Sequence, residues 1–529
     1  MRTTILIYFC LLGRIVHAQS SAVSVAGDSN YKSWGWNAIV LNNGLITHAT
    51  VPAIGGRVMQ YDLGELPSVF INSSEVGNVY SPKLDGQWHN FGGYKTWPAP
   101  QSAWNTGGWP PPPNLDYGNY SVLDTVSWGD SASVSVLGPV EQWYAPGIRF
   151  LRKATVYKGT SRVRMDQTMI NQGPTDASWS MWSITQSIVS HPGRTDYGNY
   201  WAYFPINPNS VYGPTGVSPQ GGNSQAWKGE VAPGIYGVQF ATLGAKIYAD
   251  PDKGWIAYSD VSDTVTFIRT FDVYDTAQYP DSGARVSVYV SGSAPPIYME
   301  IEVKGPIVDL PASGGQYTFT ENWWAAKMRG PVLCVDSVGA IADSLTYNPN
   351  SHLLSGDFGV FYAGTVKAVF LDSGGGIVSG GETHQITPLE EFQLNEFVTI
   401  PDSAKTVQLV MLNKGGDTVG ILESEEIRSI TTSVKKGISD LAASFELSPN
   451  YPNPFNGGTV IKFHNSKTAG GSLKIFDILG REIATLASGK IDAGYHTYVW
   501  NPENLPSGIY FARMQVEGKT LIQKMAYLR

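Results

Sequence analysis

Short runs of alternating apolar and polar residues recur along most of the chain. Residues 163–170 (VRMDQTMI), 285–292 (RVSVYVSG) and 406–413 (TVQLVMLN) carry apolar side chains mainly at every second position. This is the period of a β-strand with one buried face, and the Gly, Pro, Asn and Asp residues between such runs are typical of turns. No segment shows a helical period of useful length, so the pattern predicts an all-β protein.

The length of the alternating region indicates how the strands are arranged. Residues 19–328 hold too many strands for one flat sheet, so we expect two antiparallel sheets packed face to face in a large sandwich. Similar runs in residues 329–428 predict a smaller accessory β-sandwich that serves as a spacer or interaction module. The polar stretch 429–446 predicts a linker, and residues 447–529 predict a last small β-sandwich.

The N-terminus has the pattern of a secretion signal. Arg2 precedes an apolar run from Ile5 to Leu12, and small residues follow at 16–18 (VHA). This order predicts a removable signal peptide over residues 1–18. No later apolar run reaches the ~18 residues that a membrane-spanning helix requires, so no transmembrane segment is expected.

Composition excludes several classes of protein. Charged residues make up 15% of the chain and the net charge is -8, so no basic face is available and nucleic acid is not an expected partner. The 12% aromatic content argues against intrinsic disorder. Cys10 leaves with the signal, and the remaining Cys334, in an alternating run, predicts a buried thiol without a disulfide. No metal and no cofactor are expected.

Tryptophan is concentrated in one part of the sequence. Of the 16 Trp, 13 lie at or before Trp255, and four fall between Trp88 and Trp109. The Gly and Pro residues of segment 88–113 predict an ordered surface loop, and such loops often serve recognition. Sugar rings stack on indoles and their hydroxyls bond to polar groups, which makes candidates of Trp97, Trp104, Trp109, His89, Lys95 and Gln101. The alternative is that the tryptophans fold inward as a satellite core, with each indole N–H bonded to backbone.

A series of short motifs ends the chain. In order they are residues 450–456 (NYPNPFN), 476–481 (FDILGR), 493–496 (AGYH), Trp500, 507–511 (SGIYF) and 524–529 (KMAYLR). The series resembles the C-terminal sorting domain of the type IX secretion system. The resemblance implies a Bacteroidetes-like source and a protein secreted or held on the outer cell surface. Residues 447–529 would then contact the secretion machinery and take no part in chemistry.

A second resemblance covers roughly residues 37–328. It is carried by residues 43–44 (NG), 51–64 (VPAIGGRVMQYDLG), 92–101 (GGYKTWPAPQ), 182–186 (WSITQ), 279–281 (YPD) and 298–302 (YMEIE). These segments resemble a largely uncharacterised subgroup of the galactose mutarotase superfamily. The resemblance implies an antiparallel supersandwich with a sugar site on its concave face.

The same resemblance suggests candidate catalytic residues. Epimerases of the superfamily use a Glu as base and a His as acid. Glu300 and Glu302 lie two apart in an alternating strand, so both point to one face, where their mutual repulsion would raise the pKa of one of them. The strand that carries the family's His reads WSITQ here. His191, His89 or Lys95 would have to substitute, although none of them lies at the motif position, and Gln186 of this strand becomes a candidate substrate contact.

Arg57, in the GGR turn, also has two interpretations. Its guanidinium could bond a sugar hydroxyl or a uronate carboxylate. It could equally hold the turn by bonding backbone carbonyls.

The sequence therefore leaves several functions open. The first is a secreted carbohydrate-binding protein of mutarotase-like fold that could also isomerise a sugar by epimerase-type chemistry. The second is a non-catalytic surface or matrix protein with a structural or adhesive role, and the third is a polysaccharide lyase-like enzyme. A glycosidase ranks last because it needs two carboxylates that flank a cleft.

Overall fold

The computed structural model shows that the chain is built almost entirely of antiparallel strands. It describes residues 23–427 except 105–107, 192–195, 223 and 349–351, and residues 446–528 except 448–449, 451–452, 454, 466, 479, 493, 503–504 and 517–518. The predicted signal peptide and most of the predicted linker lie outside the described residues. The prediction of an all-β fold is confirmed.

The chain divides into two compact units, Met1–Ile427 and Arg428–Arg529. The strands of the N-terminal unit are β1 Ser24–Asp28, β2 Ala38–Asn42, β3 Ile46–Val51, β4 Arg57–Leu63, β5 Leu66–Pro67, β6 Tyr94–Ala99, β7 Ser121–Trp128, β8 Ser131–Leu137, β9 Ile148–Tyr157, β10 Val163–Asn171, β11 Ala177–Ser187, β12 Tyr200–Pro205, β13 Val217–Gly222, β14 Trp227–Ala232, β15 Ile235–Gln239, β16 Ala245–Ala249, β17 Trp255–Asp260, β18 Val265–Phe271, β19 Val286–Val290, β20 Met299–Leu310, β21 Gly315–Lys327, β22 Cys334–Val335, β23 Gly339–Asn348, β24 Leu353–Val360, β25 Gly364–Leu371, β26 Ile377–Ile386, β27 Phe392–Phe397, β28 Thr406–Asn413 and β29 Thr418–Glu426. Two short helices, α1 Pro113–Tyr117 and α2 Pro280–Gly283, and 3₁₀ turns at Tyr31–Ser33, Pro52–Ile54, Gln101–Ala103, Tyr197–Asn199 and Ser224–Ala226 lie between them.

Two large sheets form the body of this unit. The first sheet has the strand order β1-β2-β3-β4-β6-β11-β20-β19-β16-β13, with β5 paired to β4, and the second has the order β14-β15-β12-β17-β18-β21-β10-β9-β8-β7. Alternate residues such as Ile301, Val303 and Phe267 meet between the sheets in one apolar core. The expected two-sheet sandwich is therefore present, and each sheet has an outer face turned away from the other.

A buried polar network crosses this core. Glu321 of β21 accepts hydrogen bonds from Arg269 Nη2 at 2.6 Å and from Gln167 Nε2 at 2.9 Å. Arg269 also donates to the carbonyl oxygen of Ile301, on the opposite sheet, at 2.8 Å. Because a buried charge without a partner is very costly, these bonds favour one alignment of the two sheets.

The accessory sandwich packs directly against the larger one. Its two sheets have the orders β22-β23-β24-β27 and β26-β25-β28-β29. Trp255, Ile268 and Trp324, on the outer face of the second large sheet, form a common core with Val332 and Phe361. The rings of Trp324 and Phe361 stack with their centroids 4.7 Å apart. The predicted spacer thus shares an apolar core with the large sandwich.

Two sequence expectations are wrong in this unit. Segment 88–113 is not a loop throughout, because residues 94–99 form β6 in the middle of the first sheet. Beyond Tyr94, β6 pairs with β11 but not with β4. Pro98 is tolerated there because proline has no backbone N–H to donate, and the unpaired side of the strand needs none. Cys334 is exposed rather than buried, because β22 is a two-residue edge strand.

The C-terminal unit is a smaller sandwich. Its strands are β30 Glu446–Leu447, β31 Thr459–Asn465, β32 Ala469–Asp477, β33 Glu482–Ile491, β34 Gly494–Trp500, β35 Gly508–Val516 and β36 Lys519–Tyr527. They form sheets of order β30-β31-β34 and β33-β32-β35-β36 around a core that includes Phe455, Trp500 and Tyr510. Within the described parts of both units, no helix is long and apolar enough to cross a membrane.

Candidate functional site

The outer face of the first sheet gathers the polar side chains of its central strands. Glu300 of β20 lies opposite Gln186 of β11 and Tyr289 of β19, and Lys95 of β6 lies opposite Ile184 of β11. Because their neighbours in each strand point into the core between the sheets, these side chains point to the outer face.

Glu300 is the centre of this cluster. Its Oε1 accepts a hydrogen bond from Lys95 Nζ at 3.0 Å and another from Gln186 Nε2 at 3.0 Å. The residue is 8% exposed, and its Oε2 has no hydrogen-bond partner among the described residues yet is not a buried atom. Glu300 therefore presents one accessible carboxylate oxygen while the other is held in place.

Burial also changes the acid–base properties of Lys95. It lowers the pKa of the Lys95 ammonium, whereas the adjacent Glu300 carboxylate opposes that shift. The ammonium lies 5.1 Å from the centroid of the Trp97 ring and 5.9 Å from that of Trp88. Lys95 thus links the carboxylate to a group of aromatic rings.

Glu302, two residues further along β20, has no accessible oxygen. Its carboxylate accepts hydrogen bonds from Trp182 Nε1 at 2.8 Å and Ser287 Oγ at 2.9 Å, and Lys246 Nζ lies 3.1 Å from Oε1. Burial raises the pKa of Glu302, but Lys246, Lys304 and the Ser287 hydroxyl together outweigh burial and lower it. The expectation that mutual repulsion raises a pKa in this pair is wrong for Glu302.

The tryptophans of the same region divide into buried and exposed groups. Trp97, Trp104 and Trp182 pack together, with centroids 5.3 Å apart for Trp97–Trp182 and 5.5 Å for Trp97–Trp104. Trp104 Nε1 donates to the carbonyl oxygen of Pro98 at 2.7 Å, as expected, whereas Trp97 Nε1 donates to the Asp116 carboxylate at 2.8 Å rather than to backbone. This arrangement is the satellite core that the sequence left as an alternative for Trp97 and Trp104.

Trp109 differs from them because it is 43% exposed. Its ring lies 5.0 Å from that of Trp88, at an angle of 70°. Gln101 is half-buried and opens the 3₁₀ turn that leads toward this pair. Trp88 and Trp109 therefore provide the accessible aromatic surface beside Lys95 and Glu300.

Arg57 is buried beneath the turn that enters β6. Its guanidinium donates to Asp116 Oδ1 at 2.6 Å and to the carbonyl oxygen of Gly92 at 3.1 Å. Burial lowers the pKa of Arg57, and the Asp116 carboxylate opposes that shift. In the structure Arg57 holds the turn, which is the second of its two interpretations.

Neither candidate histidine forms a hydrogen bond or ion pair with Glu300 among the described residues. The His89 ring stacks on Tyr80 with a centroid distance of 3.6 Å, and its Nε2 is buried without a partner among the described residues. His191 lies beyond the end of β11, where its Nε2 is 2.7 Å from Asp260 and 3.4 Å from Asp263. These three side chains have the donor spacing of a cation site, but the hydrogen bond with Asp260 already accounts for the position of His191.

The sequence motifs did not point to Tyr289, Tyr298 or Trp88 as site residues. Tyr289 lies on the outer face beside Glu300 because it alternates with the buried Val288 and Val290. Burial raises the pKa of Tyr298, and the nearby Glu300 carboxylate adds to that effect. Alternation within β19 could have revealed Tyr289, whereas Trp88 could be found only from the folded arrangement.

Comparison with known proteins assigns the C-terminal unit. Residues 450–527 match the family model of the secretion system C-terminal sorting domain. This segment is a type IX sorting domain. The protein is accordingly secreted or attached at the outer cell surface, and the prediction of its localisation is confirmed. The sorting domain also implies an interaction with the secretion machinery.

Several motif residues of the sorting domain hold its fold together. Asn453 accepts a hydrogen bond from the backbone N–H of Ala526 at 2.8 Å and donates to the carbonyl oxygen of Lys524 at 3.1 Å. Asp477 and Arg481 close the turn between β32 and β33 with an ion pair of 2.7 Å. The first and last motifs of the sorting domain are thus joined in space.

Solved structures resemble part of the chain at low similarity. A galactose mutarotase-like protein from Clostridium acetobutylicum has 12% identity and a TM-score of 0.39, with 58% of this chain and 99% of that chain covered. A galactose mutarotase related enzyme from Lactobacillus acidophilus has 7% identity and a TM-score of 0.34, with 56% and 100% covered. At TM-scores below 0.5 these similarities carry no argument about activity. No curated protein matches the chain.

Proposed function

We propose that this secreted protein binds carbohydrate on the outer face of its first sheet, at Glu300. The observation that supports this is the Glu300 carboxylate, with Oε1 held by Lys95 and Gln186 and Oε2 accessible. A carboxylate oxygen fixed in this way accepts a hydrogen bond from a sugar hydroxyl without first having to be ordered.

The surroundings of Glu300 also suit the apolar C–H face of a sugar ring. Trp109, exposed beside Trp88, offers an indole on which the C–H groups of a pyranose ring can stack. In this proposal Lys95 and Gln186 position Glu300, and Trp97 and Trp104 support the site from within. Glu302, Arg57, His89 and His191 make no direct contact with the sugar.

The Lys95–Glu300 pair also favours a second candidate function, epimerase-type chemistry. Opening a cyclic sugar needs a base at the anomeric hydroxyl and an acid at the ring oxygen. Glu300 Oε2 would accept the proton, and Lys95, 3.0 Å from Oε1 with its pKa lowered by burial, is the nearby candidate acid.

A glycan array followed by calorimetric titration of the full-length protein tests the binding proposal. Glu300→Gln should weaken the best glycan at least tenfold, since a charged hydrogen bond contributes about 1.5–3 kcal/mol. Trp109→Ala should weaken the same glycan severalfold. The matched controls are Trp128→Ala, at a tryptophan that is 74% exposed on β7, and Glu65→Gln at an exposed carboxylate, and both should bind normally.

Near-ultraviolet circular dichroism of each variant separates loss of binding from loss of fold. Polarimetry with the bound sugar adds the chemical measurement. A mutarotation rate that Glu300→Gln abolishes would support the epimerase candidate, and binding without rate enhancement would exclude it. Failure of every glycan to bind, or unchanged binding by both Glu300→Gln and Trp109→Ala, would reject a sugar site here.

A further inference from the structure

A second cleft lies on the opposite side of the large sandwich, where the accessory sandwich meets the outer face of the second sheet. Its volume is about 360 Å³, within the range of small-molecule sites, which is roughly 300–1,000 Å³. Its walls come from β17, β18 and β21 of the large sandwich, from Arg162 just before β10, from residues 253–254 just before β17, and from residues 335–337 and Tyr362 of the accessory part. The Glu300 site is on the first sheet, so the two sites are separate.

Arg162 brings an incompletely bonded guanidinium to this cleft. Its Nε donates to Asn322 Oδ1 at 2.9 Å, and its guanidinium carbon lies 5.0 Å from the ring centroid of Tyr157 and 5.6 Å from that of Trp324. These contacts fix the orientation of the planar Arg162 guanidinium. Nη1 and Nη2 make no hydrogen bond or ion pair with a described residue, and neither is a buried atom. They form a fixed fork of donors, the geometry that a carboxylate matches with two hydrogen bonds.

The other polar groups of the cleft are mostly donors too. Lys253 lines it and has no ion pair among the described side chains. Trp255 lines it as well, and its buried indole N–H has no described hydrogen-bond partner, which is rare in folded proteins. The single carboxylate of the lining, Asp336, already accepts hydrogen bonds from the backbone N–H groups of Val338 and Gly339 at 2.7 and 2.9 Å.

We propose that this cleft binds an acidic sugar unit, a uronate residue of a polysaccharide, with its carboxylate on Arg162. Two cations, Arg162 and Lys253, line the cleft with one carboxylate, Asp336, whose Oδ1 is already hydrogen-bonded, and this balance favours an anionic ligand. The half-buried ring of Tyr362 and the polar side chains of Thr270 and Asn322 give a sugar ring and its hydroxyls further partners. The volume suits one or two pyranose units. The inference does not depend on the Glu300 site.

Calorimetric titration of the full-length protein with trigalacturonate, and with galactotriose as the uncharged comparison, tests this assignment. The acidic trisaccharide should bind at least tenfold more tightly than the uncharged one. Arg162→Gln should remove that preference, and Arg162→Lys should keep only part of it, because an ammonium lacks the two-pronged geometry. Arg164→Gln is the matched control two residues further along the chain, since Arg164 pairs with Asp166 outside the cleft, and it should keep the full preference.

Each other outcome overturns the assignment. Equal affinity for the two trisaccharides, or an unchanged preference in Arg162→Gln, would show that the cleft does not select a carboxylate. Loss of trigalacturonate binding in Glu300→Gln but not in Arg162→Gln would show that the acidic sugar binds at Glu300 on the first sheet and not in this cleft. Equally tight, Arg162-dependent binding of hexaglutamate would make the occupant an acidic peptide. Thermal unfolding of Arg162→Gln and Arg162→Lys, compared with the unchanged protein, verifies that the fold is intact.

Discussion

Glu300 and Glu302 show how much the environment of a side chain decides its role. They share one strand and one face, yet Glu300 keeps an accessible oxygen and Glu302 is enclosed by Trp182, Ser287 and two lysines. Spacing in the sequence could predict the shared face. It could not predict Lys246, because this residue reaches Glu302 only through the non-consecutive strand order β20-β19-β16.

The tryptophans also show that sequence spacing does not predict which side chains long-range contacts bury. The sequence indicated a Trp-rich region with polar neighbours, but it could not separate the buried Trp97 and Trp104 from the exposed Trp109. The difference arises because Trp97 lies on a central strand and is covered by Trp104, a long-range arrangement. Residue type therefore predicted the kind of chemistry and not which of the rings is reachable.

His48 gives a prediction about pH. The residue is fully buried on β3, both ring nitrogens lack a described hydrogen-bond partner, and burial lowers its pKa to about 3 from 6.5. The unfolded chain therefore binds a proton at His48 below pH 6.5 while the folded chain does not. Protonation of His48 in the unfolded chain therefore lowers the free energy of unfolding as the pH drops from 6.5 toward 3. At pH 5 the loss is about 2 kcal/mol.

Urea denaturation of the protein and of His48→Leu at pH 7 and pH 5 measures this contribution. The unchanged protein should lose about 2 kcal/mol more between the two pH values than the variant does. Equal losses would show that His48 is protonated in the folded state or that its environment is polar.

At the level of elements, β6 is the part of the first sheet that the sequence obscured. Regular alternation made strands such as β10, β19 and β28 predictable, since nothing in them competes with pairing. In β6, Pro98 and the preceding Gly92–Gly93 pair are typical of a loop. The strand forms nevertheless, because it pairs with β11 and is covered by buried rings.

Gly92 determines how the chain enters β6, and its substitution gives a second prediction. It has φ +87°, and a Cβ at this position would lie 2.3 Å from the carbonyl oxygen of Phe70. Gly92→Ala should therefore destabilise the N-terminal unit by about 2–4 kcal/mol, through both an unfavourable φ and a backbone collision. Because the Gly92 carbonyl also holds Arg57, glycan binding at Glu300 should weaken as well.

Gly86→Ala is the matched control for this substitution. Gly86 also has a positive φ, of +73°, but no atom lies within 4 Å of its would-be Cβ. The conformational cost alone, about 1–2 kcal/mol, is expected there. If urea denaturation gives the same loss for both variants, the collision at Gly92 is relieved by a shift of the backbone.

For the whole molecule, the sequence predicted the main parts better than the contacts between them. The all-β class, the large sandwich and the sorting domain follow from local alternation and from short motifs. The predicted boundary at residue 328 remains untested as a domain limit. Met328 itself is buried in the core shared with the accessory sandwich, which no local pattern could reveal.

This shared core predicts how truncated forms behave. A fragment of residues 19–328 would expose Trp255, Ile268 and Trp324, each of which loses burial worth about 2 kcal/mol. Its melting temperature should fall by roughly 10 °C or more relative to residues 19–427, and it should bind a hydrophobic dye. Calorimetry and dye fluorescence on the two fragments provide the measurement, and indistinguishable melting would mean that the accessory sandwich contributes no stability.

The core that joins the two sandwiches also restricts where recombination can divide the gene without destabilising the products. A recombination event that separated the coding regions near residue 328 would leave both products with an uncovered aromatic surface. The unit that can be exchanged between genes without this penalty extends to residue 427, where the first compact unit ends. The sorting domain, in contrast, is a compact unit with a core of its own.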